Sequence, residues 1–196
     1  MPRPRTVEDS AVLDAAGEVA MRVGPGQLTL GLVGAEIGLS PATLLQRFGS
    51  KRRLLLAMAE RWADRADAPL VAARPEHDSP LESLLAGLTA LAAGVNSPER
   101  LATSLGYLQL DMTDPDFRRL ALAGQRRVRG RIEELVREAV EAGELAGCEP
   151  AELAAALHNA FNGSLVTWGL CREGALEDWV RRQLGLLLEP YAPGRT

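Results

Sequence analysis

The stretch Thr29-Leu30-Gly31-Leu32-Val33-Gly34-Ala35-Glu36-Ile37-Gly38-Leu39-Ser40-Pro41-Ala42-Thr43-Leu44-Leu45-Gln46-Arg47-Phe48-Gly49-Ser50-Lys51-Arg52-Arg53-Leu54-Leu55 decides how this chain is read. Val33 and Ile37, four apart, share one face of a short helix, and Gly38 can take the left-handed backbone that ends it. Leu39 anchors the turn, Ser40 is a side-chain cap, and Pro41 fits the first position of a second helix. Leu44 and Phe48 then point back toward Val33 and Ile37. This is the pattern of a helix-turn-helix, whose second helix, about 41 to 47, is short enough for a major groove. Its outward residues, Pro41, Ala42, Thr43, Gln46 and Arg47, suit that reading. Gln pairs with two edge atoms of adenine, Arg with guanine, and Thr and Ala can meet a thymine methyl. Lys51, at the start of the following helix beside Arg52 and Arg53, suits a phosphate, because free backbone N–H groups and a positive charge converge there. For Arg52 and Arg53 a solvated helix face is an equal alternative.

Outward from this segment the chain reads as all-α. It has 196 residues, 46% of them hydrophobic and only 4% aromatic, with Ala and Leu dominating, so strand formers are scarce. Thr6 before Asp9, Ser79-Pro80 before Glu82, Ser97-Pro98 before Glu99, Asp114-Pro115 before Asp116, and Glu149-Pro150 repeat the signature of a capped helix start. The segments predicted are nine helices, at about 7–23, 30–37, 41–47, 51–74, 80–95, 98–110, 115–143, 150–171 and 176–190. The fourth is expected to end or kink near Pro69. Val12, Ala16, Val19, Ala20 and Val23 line one face of the first. Phe117, Leu120, Gly124, Val128, Ile132, Leu135 and Ala139 line one face of the seventh.

The net charge of −4 is unevenly spread: through Leu55 there are seven basic and five acidic residues, so the acidic excess lies behind the helix-turn-helix. Arg3 and Arg5 can be read as an arm that reaches a minor groove or as a plain disordered terminus. No apolar run approaches the roughly 18 residues of a membrane span and no signal core opens the chain, so a cytoplasmic protein is expected. Cys148 and Cys171 have no His at ligand spacing and read as free thiols; no metal or cofactor is expected. Motifs for acyl transfer, phosphate-binding loops and zinc proteases are missing, which argues against an enzyme.

The run Ile37-Gly38-Leu39-Ser40-Pro41-Ala42-Thr43-Leu44-Leu45-Gln46-Arg47-Phe48-Gly49-Ser50-Lys51-Arg52-Arg53-Leu54 resembles the helix-turn-helix of the tetracycline-repressor (TetR) family of bacterial transcriptional regulators in order and spacing. Its last element, Ser50-Lys51 after Phe48, is the most specific. Where the family carries two tyrosines this chain has Leu45 and Arg47, and Pro41 stands where a basic residue is usual. The resemblance implies a DNA-binding domain over 1–55 and a ligand-binding and dimerisation domain over 56–196. It also implies a homodimeric repressor released from double-stranded operator DNA by a small-molecule effector. The DNA contacts expected are Thr29, Pro41, Ala42, Thr43, Gln46, Arg47 and Lys51. The last two long helices are apolar enough to need a partner, and the resemblance makes them the dimer bundle, with Phe161, Leu165, Trp179, Val180, Gln183, Leu184 and Leu187 at its interface.

His158, Asn159 and Asn162 sit among apolar neighbours and need polar partners, which neighbouring helices, water or a ligand can supply. The candidate pocket residues are Tyr107, Met112, Phe117, Gln125, Asn159, Asn162 and Trp168. For Met112, Phe117 and Trp168 core packing is the competing reading. The lack of charge among these candidates points to a neutral or weakly polar effector, while Arg126, Arg127 and Arg129 lie close enough in sequence to admit an anionic one. The alternative from another class is a dimeric helical protein-interaction module whose DNA binding has decayed.

Overall fold

The computed structural model describes residues 7–95 and 97–194, so Arg3, Arg5 and the Thr6 cap lie outside the described residues. Among those described there is no strand. The helices are α1 (Asp9–Gln27), α2 (Leu30–Ile37), α3 (Pro41–Phe48), α4 (Lys51–Arg65), α5 (Ala68–Ala73), α6 (Pro80–Ala92), α7 (Pro98–Thr113), α8 (Pro115–Glu141), α9 (Pro150–Cys171) and α10 (Leu176–Leu188). The predicted helix over 51–74 is thus two. Pro69 cannot donate to the preceding turn, and α5 begins with it in its first turn. The first helix proper stops at Val23, since Gly24 has φ 81° and only a Pro25-containing turn follows.

The chain divides into two compact units, one of residues 1–62 with 102–121 and the other of 63–101 with 122–196. The sequence division at residue 55 did not foresee that 102–121 pack with the N-terminal helices. Their signal was Phe117, a candidate pocket residue for which core packing was the favoured reading. In the first unit Val12, Ala16, Val19 and Ala20 of α1 meet Leu28, Val33, Leu44, Leu54, Leu55 and Phe117 in one buried cluster. Removing each large side chain of this kind from water is worth about 1.5 to 3 kcal/mol.

The second unit has its own core, in which Leu84 and Leu88 of α6, Ile132 and Leu135 of α8, Leu157 of α9 and Leu184 of α10 are fully enclosed. The whole periodic face expected of α8 is buried, from Val128 through Ala139. Caps start the helices where the sequence put them. The Ser79 hydroxyl accepts from Glu82 N at 3.0 Å and the Glu149 carboxylate from Ala151 N at 2.7 Å. The crossing of α5 and α6 is close enough to demand glycine, since a Cβ on Gly87 would stand 2.8 Å from Leu70 Cα. Arg181 of α10 reaches Glu82 of α6 with Nη1 3.1 Å from Oε2, and this hydrogen bond holds the Glu82 carboxyl below its ordinary range.

A candidate nucleic-acid interface

The helix-turn-helix is built by its caps and by one tight approach. Thr29 Oγ1 accepts from Leu32 N at 3.1 Å and starts α2. Gly38, with φ 69° and ψ 28°, ends it in the left-handed region, and Leu39 N donates back to Gly34 O at 2.9 Å. Ser40 Oγ accepts from Thr43 N at 3.1 Å and shares a hydrogen bond with Thr43 Oγ1 at 2.8 Å. Gly49, at φ 77°, closes α3, and Ser50 Oγ accepts from Arg53 N at 3.1 Å to open α4. Leu44 is wholly buried, so the opposite side of α3 faces outward and carries exposed Pro41, Ala42, Leu45, Gln46 and Arg47. Gln46 is exposed and has no partner among the described residues, leaving both its amide donors and its carbonyl free for a base edge.

The cations around this face have partners that sequence reasoning did not find. Arg47 donates from Nη1 to Val7 O at 2.7 Å and pairs through Nη2 with Asp9. The expected outward reach of Arg47 is therefore not the conformation it adopts here, because a carboxylate 38 residues earlier comes alongside it. Lys51 Nζ donates to Gly26 O at 2.6 Å and stays half-exposed. Arg52 spans two carboxylates: its Nη2 lies 2.8 Å from Asp114 Oδ2 and 2.8 Å from Asp116 Oδ2. Those hydrogen bonds raise the guanidinium pKa still further and hold the Asp114 carboxyl below its usual range. Arg22 is paired with Glu36 at 2.8 Å. Lys51 and Arg53 have no carboxylate partner among the described residues. The acids were hidden because Asp114-Pro115-Asp116 reads from sequence as nothing more than a helix cap.

The candidate ligand residues fall into different units. Tyr107, Met112 and Phe117 belong to the first, and Gln125, Asn159, Asn162 and Trp168 to the second. Phe117 is core, and Met112 is exposed. Gln125, Asn159 and Asn162 are exposed as well, so they need no partner inside their unit. Trp168 is buried and donates from Nε1 to Gly174 O at 3.2 Å. Tyr107 differs from all of these. Its Oη is enclosed without a hydrogen-bond partner among the described residues, and burial pushes its pKa up to about 12. Asp111, one turn further along α7, is half-buried, and burial raises its carboxyl pKa.

The expected dimer residues also divide. Phe161, Val180 and Leu184 are packed into the core of their own unit, Val180 and Leu184 with 0% exposure, so they are not available to a second chain. Periodicity marked the apolar positions of α10 but not which apolar side faces inward. Leu165, Trp179, Gln183 and Leu187 are half-exposed. Between α9 and α10 runs an open groove of about 440 Å³, lined by Ala160, Gly163, Ser164, Thr167, Trp179, Gln183, Leu186 and Leu187. Leu186 is 60% and Leu170 81% exposed on these helices.

A capped helix-turn-helix with Gln46 exposed on its second helix, and a separate larger helical unit, is the arrangement of a DNA-binding regulator. Residues 12–58 match bacterial regulatory proteins of the tetR family, and residues 80–189 match the C-terminal domain of BetI-type transcriptional repressors. The chain belongs to the TetR family. Solved structures share the fold. One is a transcriptional regulator from Saccharomonospora viridis in complex with choline, 22% identical, with a TM-score of 0.76 over 92% of this chain and 95% of that one. The reduced form of NemR from E. coli is 16% identical, with a TM-score of 0.76 over 95% and 99%. SmeT, the repressor of the Stenotrophomonas maltophilia multidrug efflux pump SmeDEF, is 23% identical, with a TM-score of 0.70 over 96% and 92%. No curated protein matches the chain. No helix among the described residues is long and apolar enough to cross a membrane.

Proposed function

We propose that the chain acts as a homodimeric repressor that binds an inverted-repeat operator through α3 and leaves it when a small molecule binds. The observation that carries the reading is the exposed, unpartnered Gln46 on a recognition helix fixed at both ends by Ser40 and Gly49. Two recognition helices related by a two-fold axis read half-sites about 34 Å apart or somewhat more. A duplex selected by the chain from a random pool and then footprinted shows two symmetric protected half-sites. Protection of a single, non-palindromic site refutes the dimeric reading.

Support for the dimer comes from the α9–α10 groove. Its small residues, Ala160, Gly163 and Ser164, admit a close helix, and Leu186, Leu187 and Leu170 offer apolar surface that water covers poorly. Support for an effector comes from Tyr107, whose orphaned hydroxyl asks for an acceptor, with Asp111 one turn away to receive a donor or a cation. That pair moves the expected effector from neutral toward one bearing a positive group, and the Saccharomonospora viridis regulator holds choline. Calorimetric titration of choline with and without the selected duplex tests the idea. Reciprocity requires weaker choline binding in the presence of DNA, and equal affinities sink the coupling.

A further inference from the structure

We propose that Arg52 is a positioning residue for the DNA-binding element, held in a fork between Asp114 and Asp116 so that it sets where the first turn of α4 stands, and that it does not contact DNA. The proposal rests on this chain's DNA binding, but it concerns how the binding surface is held. Arg52 is the second residue of α4, next to Lys51, where basic side chains would ordinarily be assigned to phosphate. Its guanidinium is instead turned to acids through Nε and Nη2. Nη2 donates to Asp114 Oδ1 at 2.9 Å and Oδ2 at 2.8 Å and to Asp116 Oδ2 at 2.8 Å, and Nε lies 3.3 Å from Asp114 Oδ2. The same group stands 5.9 Å from the ring centre of Phe117, a buried member of the core that contains Leu44 and Leu54.

The Asp114 carboxylate is itself anchored. Asp114 Oδ1 also accepts from Asp116 N at 2.9 Å at the start of α8, so the fork is tied to backbone and not to loose side chains. Two carboxylates around one guanidinium leave a net negative charge, which repels a phosphate while the fork is intact. The second support of the same turn is Lys51 Nζ on Gly26 O, within the turn that follows Gly24. Helix α7 packs on that turn too, since a Cβ on Gly106 would stand 3.1 Å from Pro25 Cδ. Thus α7 and the elbow behind it touch both supports of the first turn of α4. Only Gly49 and Ser50 separate that turn from α3, so a shift of α4 is passed to the recognition helix.

The test is DNA binding by the full chain to a duplex that the wild type selects from a random pool, measured across salt concentrations. If the wild type selects nothing, the DNA-binding reading fails and Arg52 is not the reason. If it does, Arg52→Gln should weaken binding by about threefold to tenfold while the slope of log K against log salt stays unchanged. Lys51→Ala should lower that slope by about 1. Arg52→Lys should fall with Arg52→Gln, because an ammonium cannot reproduce the paired Nε and Nη2 contacts to Asp114, whereas a phosphate contact would keep its charge. Asp114→Asn/Asp116→Asn should cost as much as Arg52→Gln, and combining the two should add nothing. Asp116→Asn alone leaves the Asp114 cap intact and keeps the test open if the double change unfolds the elbow. A slope reduced by about 1 in Arg52→Gln, wild-type binding in Arg52→Lys, or unchanged binding in both acid variants overturns the proposal.

Discussion

Gly34→Ala probes the helix-turn-helix at the point where two segments of backbone come closest. An ideal Cβ on Gly34 would stand 2.3 Å from Leu39 O and 3.3 Å from Leu39 C, with Leu44 Cδ1 at 3.6 Å. The opposing atoms are main chain, so no rotamer change relieves them. The turn must open, and with it the bond from Leu39 N to Gly34 O at 2.9 Å. Overpacking of an interior costs about 1 to 3 kcal/mol, and losing a turn hydrogen bond adds about 1 kcal/mol. Alanine returns up to about 1 kcal/mol in helix propensity. With that gain in full, the net loss expected is about 1 to 3 kcal/mol.

Gly17→Ala supplies the control within the same unit, since no atom lies within 4 Å of its Cβ position in α1. It should gain up to about 1 kcal/mol by helix propensity alone. The two changes are chemically identical and opposite in expected sign. Amide hydrogen exchange resolved to α2 and α3 reads the result locally: protection at Leu39 and Leu44 should fall by about 5-fold to 150-fold in Gly34→Ala. Protection equal to the wild type in Gly34→Ala would refute the claim that backbone approach, and not sequence habit, keeps glycine there.

Leu184→Arg should abolish folding of the second unit, whereas Leu186→Arg should leave a folded chain that elutes as a monomer; a dimeric Leu186→Arg moves the interface off the α9–α10 groove. Gln46→Ala should relax preference at one base pair of the selected duplex by about 1 to 3 kcal/mol, read by a panel of single-base substitutions. His158 is buried in α9, where desolvation first and Arg129 second lower its pKa. The unfolded chain therefore takes up that proton first, and stability present above the ordinary imidazole value of about 6.5 is lost as the pH falls toward the lower folded value. Melting temperature should drop on acidification through that window, and the drop should shrink in His158→Gln.

Much of the fold was legible because its signals are local. Ser40, Ser79 and Glu149 cap helices where their side chains meet the backbone two or three residues later, and that geometry is written within one turn of sequence. The buried face of α8 follows from 3.6-residue spacing in the same way. The break at Pro69 was visible for a similar reason. The assignment of 102–121 to the first unit was not, since nothing within α7 says which of two apolar clusters its side chains join. Periodicity identified α10 as amphipathic but could not tell Leu184, fully enclosed, from Leu187, half-exposed, because both lie on the broad apolar side.

The candidate site shows the same limit in electrostatic form. Read along the chain, Gln46, Arg47, Lys51, Arg52 and Arg53 form a basic run with no acid among them. Folding brings Asp9 to Arg47 from 38 residues away and Asp114 to Arg52 from 62, distances at which sequence carries no pairing rule. Surface ion pairs of this kind add little stability, at most about 1 kcal/mol each, but they decide which charges are free to meet an incoming polyanion. A cation paired to its own chain releases no counterion on DNA until it exchanges partners. Half of the positive charge that marks the DNA-binding segment, that of Arg47 and Arg52, is therefore paired inside the fold; in the proposed mode of recognition this leaves Lys51 and Arg53 for phosphate, and base reading to groups that sequence chemistry marks more faintly, the uncharged amide of Gln46 and the short side chains of Ala42 and Thr43.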